Sequence, residues 1–188
     1  VDPAEQFLAS ASDDKTVRIW NLGDGRLLRT LRVPLGGTAE EGRLYAVAVS
    51  PDGARIAAAG WTGHFWDKAA SIYLFDRATG QMTGRIQGLP EAVLHLAWSP
   101  DGRALVAALA GRKGIRIFRP GDGQLLAQDS DYAGDCYWAE FGPHGELATS
   151  ALDGRLRWYD AQFQLQRKRE VAGGKEPYGL AFSPDGTR

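Results

Sequence analysis

Cysteine is almost absent from this sequence: Cys136 stands alone among 188 residues. One thiol cannot close an internal disulfide, so a cystine framework is excluded and nothing favours an oxidising compartment. Long apolar runs are missing too. No stretch approaches the roughly 18 residues of a membrane-spanning helix. The first residues, Val1 to Gln6, lack the charged-then-apolar order of a secretory leader. A cytoplasmic chain without membrane contact is therefore expected. Neither sign of charge is in surplus. Lys plus Arg number 22 and Asp plus Glu 23, a formal net charge of −1, which gives no field to draw in nucleic acid. No glycine-rich phosphate loop and no histidine pair with metal-ligand spacing occurs. His64 and Asp67 share a short segment but lack a third ligand. Neither Cys136 nor His144 has a catalytic neighbour in sequence. No metal, cofactor or catalytic residue is expected.

What the chain has is turns and rings. It carries 24 Gly, 9 Pro and six Trp, with 10% aromatic residues, a composition that suits many short strands. One element recurs: a short apolar strand that runs into Ser-Pro-Asp-Gly. It reads Tyr45–Val49 before Ser50-Pro51-Asp52-Gly53, Leu94–Trp98 before Ser99-Pro100-Asp101-Gly102, and Tyr178–Phe182 before Ser183-Pro184-Asp185-Gly186. A degenerate copy is Tyr137–Phe141 before Gly142-Pro143-His144-Gly145. The turns start 49, 43 and 41 residues apart. Pro presets φ at the first central position and Gly accepts the positive φ that closes such a turn.

After each turn the pattern predicts a second apolar strand, a tight turn, and a third strand such as Val17–Trp20, Ile72–Phe75, Ile115–Phe118 or Leu156–Tyr159. A Gly-rich turn in most units and a more polar fourth strand close each one. Four antiparallel strands at a period of about 40–45 residues predict an all-β chain of propeller blades. The expected blades are 1–43 with 178–188 supplying the inner strand, 44–92, 93–135 and 136–177. Large and small side chains alternate along the first strands, as the crowding near a propeller axis requires. Glu140 interrupts that pattern, so its carboxylate must be paired or reach channel water.

Leu8-Ala9-Ser10-Ala11-Ser12-Asp13-Asp14-Lys15-Thr16-Val17-Arg18-Ile19-Trp20-Asn21 resembles the second strand, turn and third strand of the WD-repeat family. Leu147 to Asp160 is a second good copy. The resemblance runs the length of the chain, and the richness in Arg, Ala and Gly points to a bacterial member. It implies structural roles for Asp14 and Asp153 as the turn aspartates and for Trp20 as the family's Trp. Ser10 and Thr149 stand near the family's hydroxyl position. The family's Gly-His is missing, so packing is expected to replace that part of its hydrogen-bonded set. The resemblance also implies a non-catalytic scaffold for a protein or peptide partner. The alternatives are a purely structural arc and, more remotely, a small-ligand or hydrolase-associated propeller. Three arrangements stay open: a fragment of a larger ring, four blades closing alone, and a homodimer that closes eight blades by exchanging a strand.

The resemblance implies binding on the face formed by the loop before the first strand and the turn between the second and third. Blade two carries a long loop there, Trp61 to Ser71, with Trp61, His64, Phe65, Trp66 and Lys68 as candidate contacts. Aromatics on a loop of a rigid scaffold are candidate anchors, and they would equally serve to cover a neighbouring blade. Tyr45, Tyr137 and Tyr178 share one position, the start of the first strand, and would rim a channel mouth. Strand propensity alone also accounts for Tyr there.

Overall fold

The computed structural model describes residues 1–34, 42–63, 69–173 and 176–186, and every regular element among them is a strand. The first sheet has three strands, β1 (Phe7–Ala11), β2 (Thr16–Asn21) and β3 (Leu27–Arg32). The second has four: β4 (Arg43–Val49), β5 (Arg55–Trp61), β6 (Ala70–Asp76) and β7 (Met82–Leu89). The third is β8 (Val93–Trp98), β9 (Leu105–Leu109), β10 (Ile115–Phe118) and β11 (Leu125–Asp129). The fourth is β12 (Cys136–Phe141), β13 (Leu147–Ala151), β14 (Arg155–Tyr159) and β15 (Leu165–Glu170). Strands follow one another in space as in sequence, so each sheet is an antiparallel meander of the propeller-blade kind.

Burial within a sheet follows the sequence. β9 and β13 are buried at every residue, whereas β15 is exposed at five of its six positions and β3 at five of six. The inner strands therefore read as short apolar runs, and the outer strands carry charges such as Arg167, Lys168 and Arg169 that discourage edge pairing.

The chain forms two compact units, Val1–Val93 and Leu94–Arg188. In the first, β1 faces β4 over a core that includes Phe7, Val17, Ile19, Ile56 and Phe75. In the second, β9 faces β12 over Val106, Ile115, Ile117, Phe141 and Leu147. Each such side chain contributes about 1.5–3 kcal/mol by leaving water.

The Ser-Pro-Asp-Gly turns are built identically. Ser50 Oγ donates to Asp52 Oδ1 and accepts from the Arg55 N–H, and Gly53, at φ 68°, closes the turn onto the Ser50 carbonyl. Ser99, Asp101 and Gly102 repeat this set. In the degenerate copy, Glu146 replaces the aspartate and accepts from the His144 N–H at 3.0 Å. A fifth copy escaped the sequence reading. Asp2-Pro3-Ala4-Glu5 makes the same backbone turn, with Glu5 at φ 52° and the Asp2 carboxylate accepting from the Gln6 and Phe7 N–H groups. With Ser replaced by Asp and Gly by Glu, only Pro3 remained as a signal.

Tyr178–Phe182 departs from its expected strand: it has no strand pairing among the described residues, although the Ser183 turn after it is formed. β1 correspondingly sits at the edge of a three-stranded sheet.

Candidate functional site

Two of the three equivalent tyrosines owe their placement to a β-bulge. Leu44 pairs with Gly60 and Ala46 with Ala59, which leaves Tyr45 as the extra residue of β4. Cys136 pairs with Ala151 and Trp138 with Ser150, which leaves Tyr137 as the extra residue of β12. A bulge bends its strand and re-aims the side chain. The close approach in β4 requires Gly60, where a Cβ would lie 2.2 Å from the Arg43 carbonyl oxygen. Tyr45 is 44% exposed and Tyr178 60% exposed. The Tyr137 and Tyr178 rings meet at 5.3 Å between centroids, tilted by 56°, a separation and tilt within the range of favourable aromatic pairs. Ser150 Oγ donates to the Tyr178 carbonyl at 3.4 Å and ties that segment to β13.

Of the long-loop candidates, Trp61 is half-buried as the last residue of β5, opposite Arg43. His64, Phe65, Trp66 and Lys68 lie outside the described residues. The loop's neck is pinned: Thr62 Oγ1 donates to the Ser71 carbonyl and accepts from the Ser71 N–H, both at 2.7 Å.

The three structural candidates occupy two contrasting settings. Asp14 accepts from the Thr16 N–H and hydroxyl and pairs with Arg18 at 2.5 Å in partly exposed surroundings. The Thr16 hydrogen bond, the largest influence, together with Arg18 holds its carboxyl down to about 2, against desolvation, which ranks second and acts the other way. Trp20 Nε1 donates to Ser10 Oγ at 2.9 Å. In the fourth sheet, Asp153 pairs with Arg157 at side-chain exposures of 2% and 0%. Burial works to raise the Asp153 pKa, but the Arg157 hydrogen bond, the Ala133 N–H and the Arg157 charge outweigh it and leave the carboxyl lowered.

Where the Gly-His is missing, the fourth sheet holds a buried hydrogen-bonded set of its own. Tyr132, from the segment before β12, contacts Thr149 Oγ1 at 2.7 Å and Tyr159 Oη at 2.9 Å, and Tyr159 donates to Asp129 Oδ2. Tyr159 stands where Trp20 stands in the first sheet, each following its turn aspartate by the same interval. Arg157 lies over the Tyr132 ring at 3.7 Å and donates to the Asp131 carbonyl. Buried hydroxyls thus satisfy one another, which removes the cost of leaving them unpaired. Sequence reasoning passed over Tyr132 because its role comes from a loop position outside the strand pattern.

Glu140 is paired: Trp138 Nε1 donates to its Oε2 at 2.8 Å. Trp138 stacks on His95 at 3.9 Å, and the His95 Nδ1 lies 3.1 Å from the Ala139 carbonyl. Burial pulls the His95 pKa down to about 4, with the hydrogen bond to Ala139 acting weakly the other way. Cys136 is buried, and burial pushes its thiol up to about 12. Among the described residues, no group of three or more His, Cys, Asp or Glu is placed to hold a metal ion, and no helix is long and apolar enough to cross a membrane.

Residues 1–21 match the family described as WD domain, G-beta repeat. Residues 1–21 are thus similar to a single WD repeat. Coronin-7 of Rattus norvegicus is 30% identical over 125 residues, which is 65% of this chain and 13% of that protein. Periodic tryptophan protein 2 of Arabidopsis thaliana is 25% identical over 174 residues, 89% of this chain and 18% of its own length. Protein HIR1 of Cryptococcus neoformans is 44% identical over 57 residues, 30% of this chain and 6% of its own. The chain thus spans less than a fifth of the length of these relatives. All three are eukaryotic, so they lend no support to the bacterial source expected from composition.

Proposed function

We propose that this chain, which resembles the WD-repeat family, is a non-catalytic scaffold that binds a protein or peptide at the entry of its first strands, the position of Tyr137 and Tyr178 in one unit and of Tyr45 in the other. The observation that carries the reading is the Tyr137–Tyr178 pair. Two phenol rings in contact, one of them mostly exposed, present a large contact area at low entropic cost with hydroxyls for hydrogen bonds. Tyr45 repeats the placement on a bulge of its own. Cys136 is buried with its thiol raised to about 12, so it offers no ready nucleophile to a substrate, which favours binding over chemistry there. A cytoplasmic setting goes with this reading.

The test replaces Tyr45, Tyr137 and Tyr178 together by alanine and measures partner capture beside the far-ultraviolet circular dichroism spectrum. The reading expects capture to fall with the spectrum unchanged. Undiminished capture sinks it.

A second reading rests on the edge strand β1 and the unpaired segment Tyr178–Phe182. Supplied by a second copy, that segment gives β1 the inner strand that the other three sheets possess. Light scattering behind a sizing column tests this: twice 20.4 kDa supports it and 20.4 kDa counts against it.

A further inference from the structure

The two units are built on one plan, but the groove between neighbouring sheets is filled in one and open in the other. In the first unit, two arginines fill it. Arg29, on β3, donates to the Thr79 and Ala78 carbonyls at 3.0 and 2.7 Å. Arg77, just after β6, donates to the Gly53 carbonyl and lies 4.8 Å from the centre of the Phe7 ring. In the second unit, alanines stand in the corresponding places. Arg29 is opposite Ile19 in its sheet as Ala127 is opposite Ile117. Arg77 follows Asp76 as Ala161 follows Asp160. Ala161 lines a cavity of about 490 Å³ there, together with Leu126 and Phe163 and with Arg103, Arg119 and His144 around them, and Ala127 packs on the same core as Phe163. That volume lies in the range of sites that hold small ligands or peptide side chains.

A second observation marks the same place. The turns between third and fourth strands close on a residue of positive φ: Gly25 at 71°, Gly80 at 78°, Gly123 at 73° and, in the fourth sheet, Phe163 at 64°. A bulky L-residue is disfavoured in the left-handed region where glycine is at ease. Phe163 nonetheless holds it, its ring edge-on to Phe141 at 6.3 Å and forming one wall of the cavity. Strain of this kind gathers at binding sites, where surrounding contacts hold it.

The charge on the rim sets the ligand. Arg103 is 88% exposed and only 3.9 Å from Asp101, whose Oδ1 already accepts from Ser99 Oγ and the Arg103 N–H. Arg119 is half exposed, with one bond to Asp122 at 3.0 Å. Two guanidinium groups therefore stand beside an apolar floor with donors to spare.

We infer that this groove is a docking site for an acidic peptide segment, which seats an apolar side chain against Leu126, Ala161 and Phe163 and sets carboxylates on Arg103 and Arg119. It lies at the end of the strands opposite Tyr137, so it is a site separate from the tyrosine face and independent of it.

The experiment titrates the whole chain into a fluorescein-labelled peptide of two leucines flanked by glutamates, with fluorescence anisotropy as the readout. The counterpart peptide carries lysines instead. Two variants accompany it. Ala127→Arg rebuilds the filling that Arg29 provides in the first unit, and the double variant Arg103→Glu, Arg119→Glu reverses the rim on exposed side chains. The acidic peptide should bind, and each variant should weaken it by about tenfold or more, with circular dichroism unchanged. The lysine peptide should bind no better to the natural chain and should gain on the charge-reversed one. Absence of binding by the acidic peptide, equal binding to natural and variant chains, or preference for the lysine peptide overturns the inference.

Discussion

Removal of the turn aspartate in the first and the fourth sheet should have very different consequences. Asp14 and Asp153 hold the same position in the repeat and each pairs with an arginine four residues on. Around Asp14 the side chains keep 43% and 37% of their exposure, so water replaces what the carboxylate gave. Around Asp153 the exposures are 2% and 0%. Asp153→Ala leaves the Arg157 guanidinium buried with only the Asp131 carbonyl and the Tyr132 ring, and it frees the Ala133 and Arg155 N–H groups. Breaking a buried pair on one side costs about 3–5 kcal/mol, a large part of the roughly 5–15 kcal/mol that hold a domain together. At a urea slope of about 2 kcal/mol per molar, the unfolding midpoint falls by about 2 M. Asp14→Ala should shift it barely at all. Equilibrium urea unfolding, followed by tryptophan fluorescence, measures both. The double variant Asp153→Leu, Arg157→Met should recover most of the loss, because no charge is then stranded. Equal shifts for Asp14→Ala and Asp153→Ala would refute the argument that burial decides the value of this pair.

Three further outcomes follow from the same geometry. His95 titrates at about 4 in the folded chain against 6.5 when unperturbed. The folded state therefore prefers the neutral ring, and this contribution is complete above about pH 6.5 and lost as pH falls toward 4, at a cost of up to about 3 kcal/mol. His95→Phe should flatten the stability profile across that window, and an unchanged slope would count against it. Cys136, fully buried with its thiol raised to about 12, should resist a disulfide reagent at pH 8 until the chain is unfolded; rapid labelling of the native chain would contradict its placement. Gly60→Ala drives a methyl into the Arg43 carbonyl, so it should abolish the bulge at Tyr45 and lower the melting temperature measurably; an undisturbed melt would show that the bulge is dispensable.

The architecture was legible because it repeats. Fourteen of the fifteen strands among the described residues lie where alternating apolar runs and Pro-Asp-Gly turns put them or follow directly from that meander, and the last, β1, is half of the stretch that resembles the WD repeat. Polar outer strands such as β15 were equally plain from their charges. The departures have local causes. Tyr178–Phe182 has the residues of a strand, but a strand needs a hydrogen-bonded neighbour as well as propensity, and none is paired to it among the described residues. Tyr132 completes the buried hydroxyl network through contacts with residues 17 and 27 positions away, which no local pattern encodes. The bulges at Tyr45 and Tyr137 depend on cross-strand register, which the sequence reveals only through Gly60. The groove beside Phe163 emerges from comparing Arg29 with Ala127 and Arg77 with Ala161, a comparison that requires the strands to be paired first.

The claim of a tyrosine-lined binding face is tested most directly by placing a photo-crosslinking benzophenone side chain at position 178 and, as a control, at Leu165, which is comparably exposed on β15. Irradiation in an extract of the source cells should give a discrete adduct from position 178 that disappears when Tyr137 is alanine, and none from position 165. Adducts of equal yield from both positions, or from position 165 alone, would contradict it.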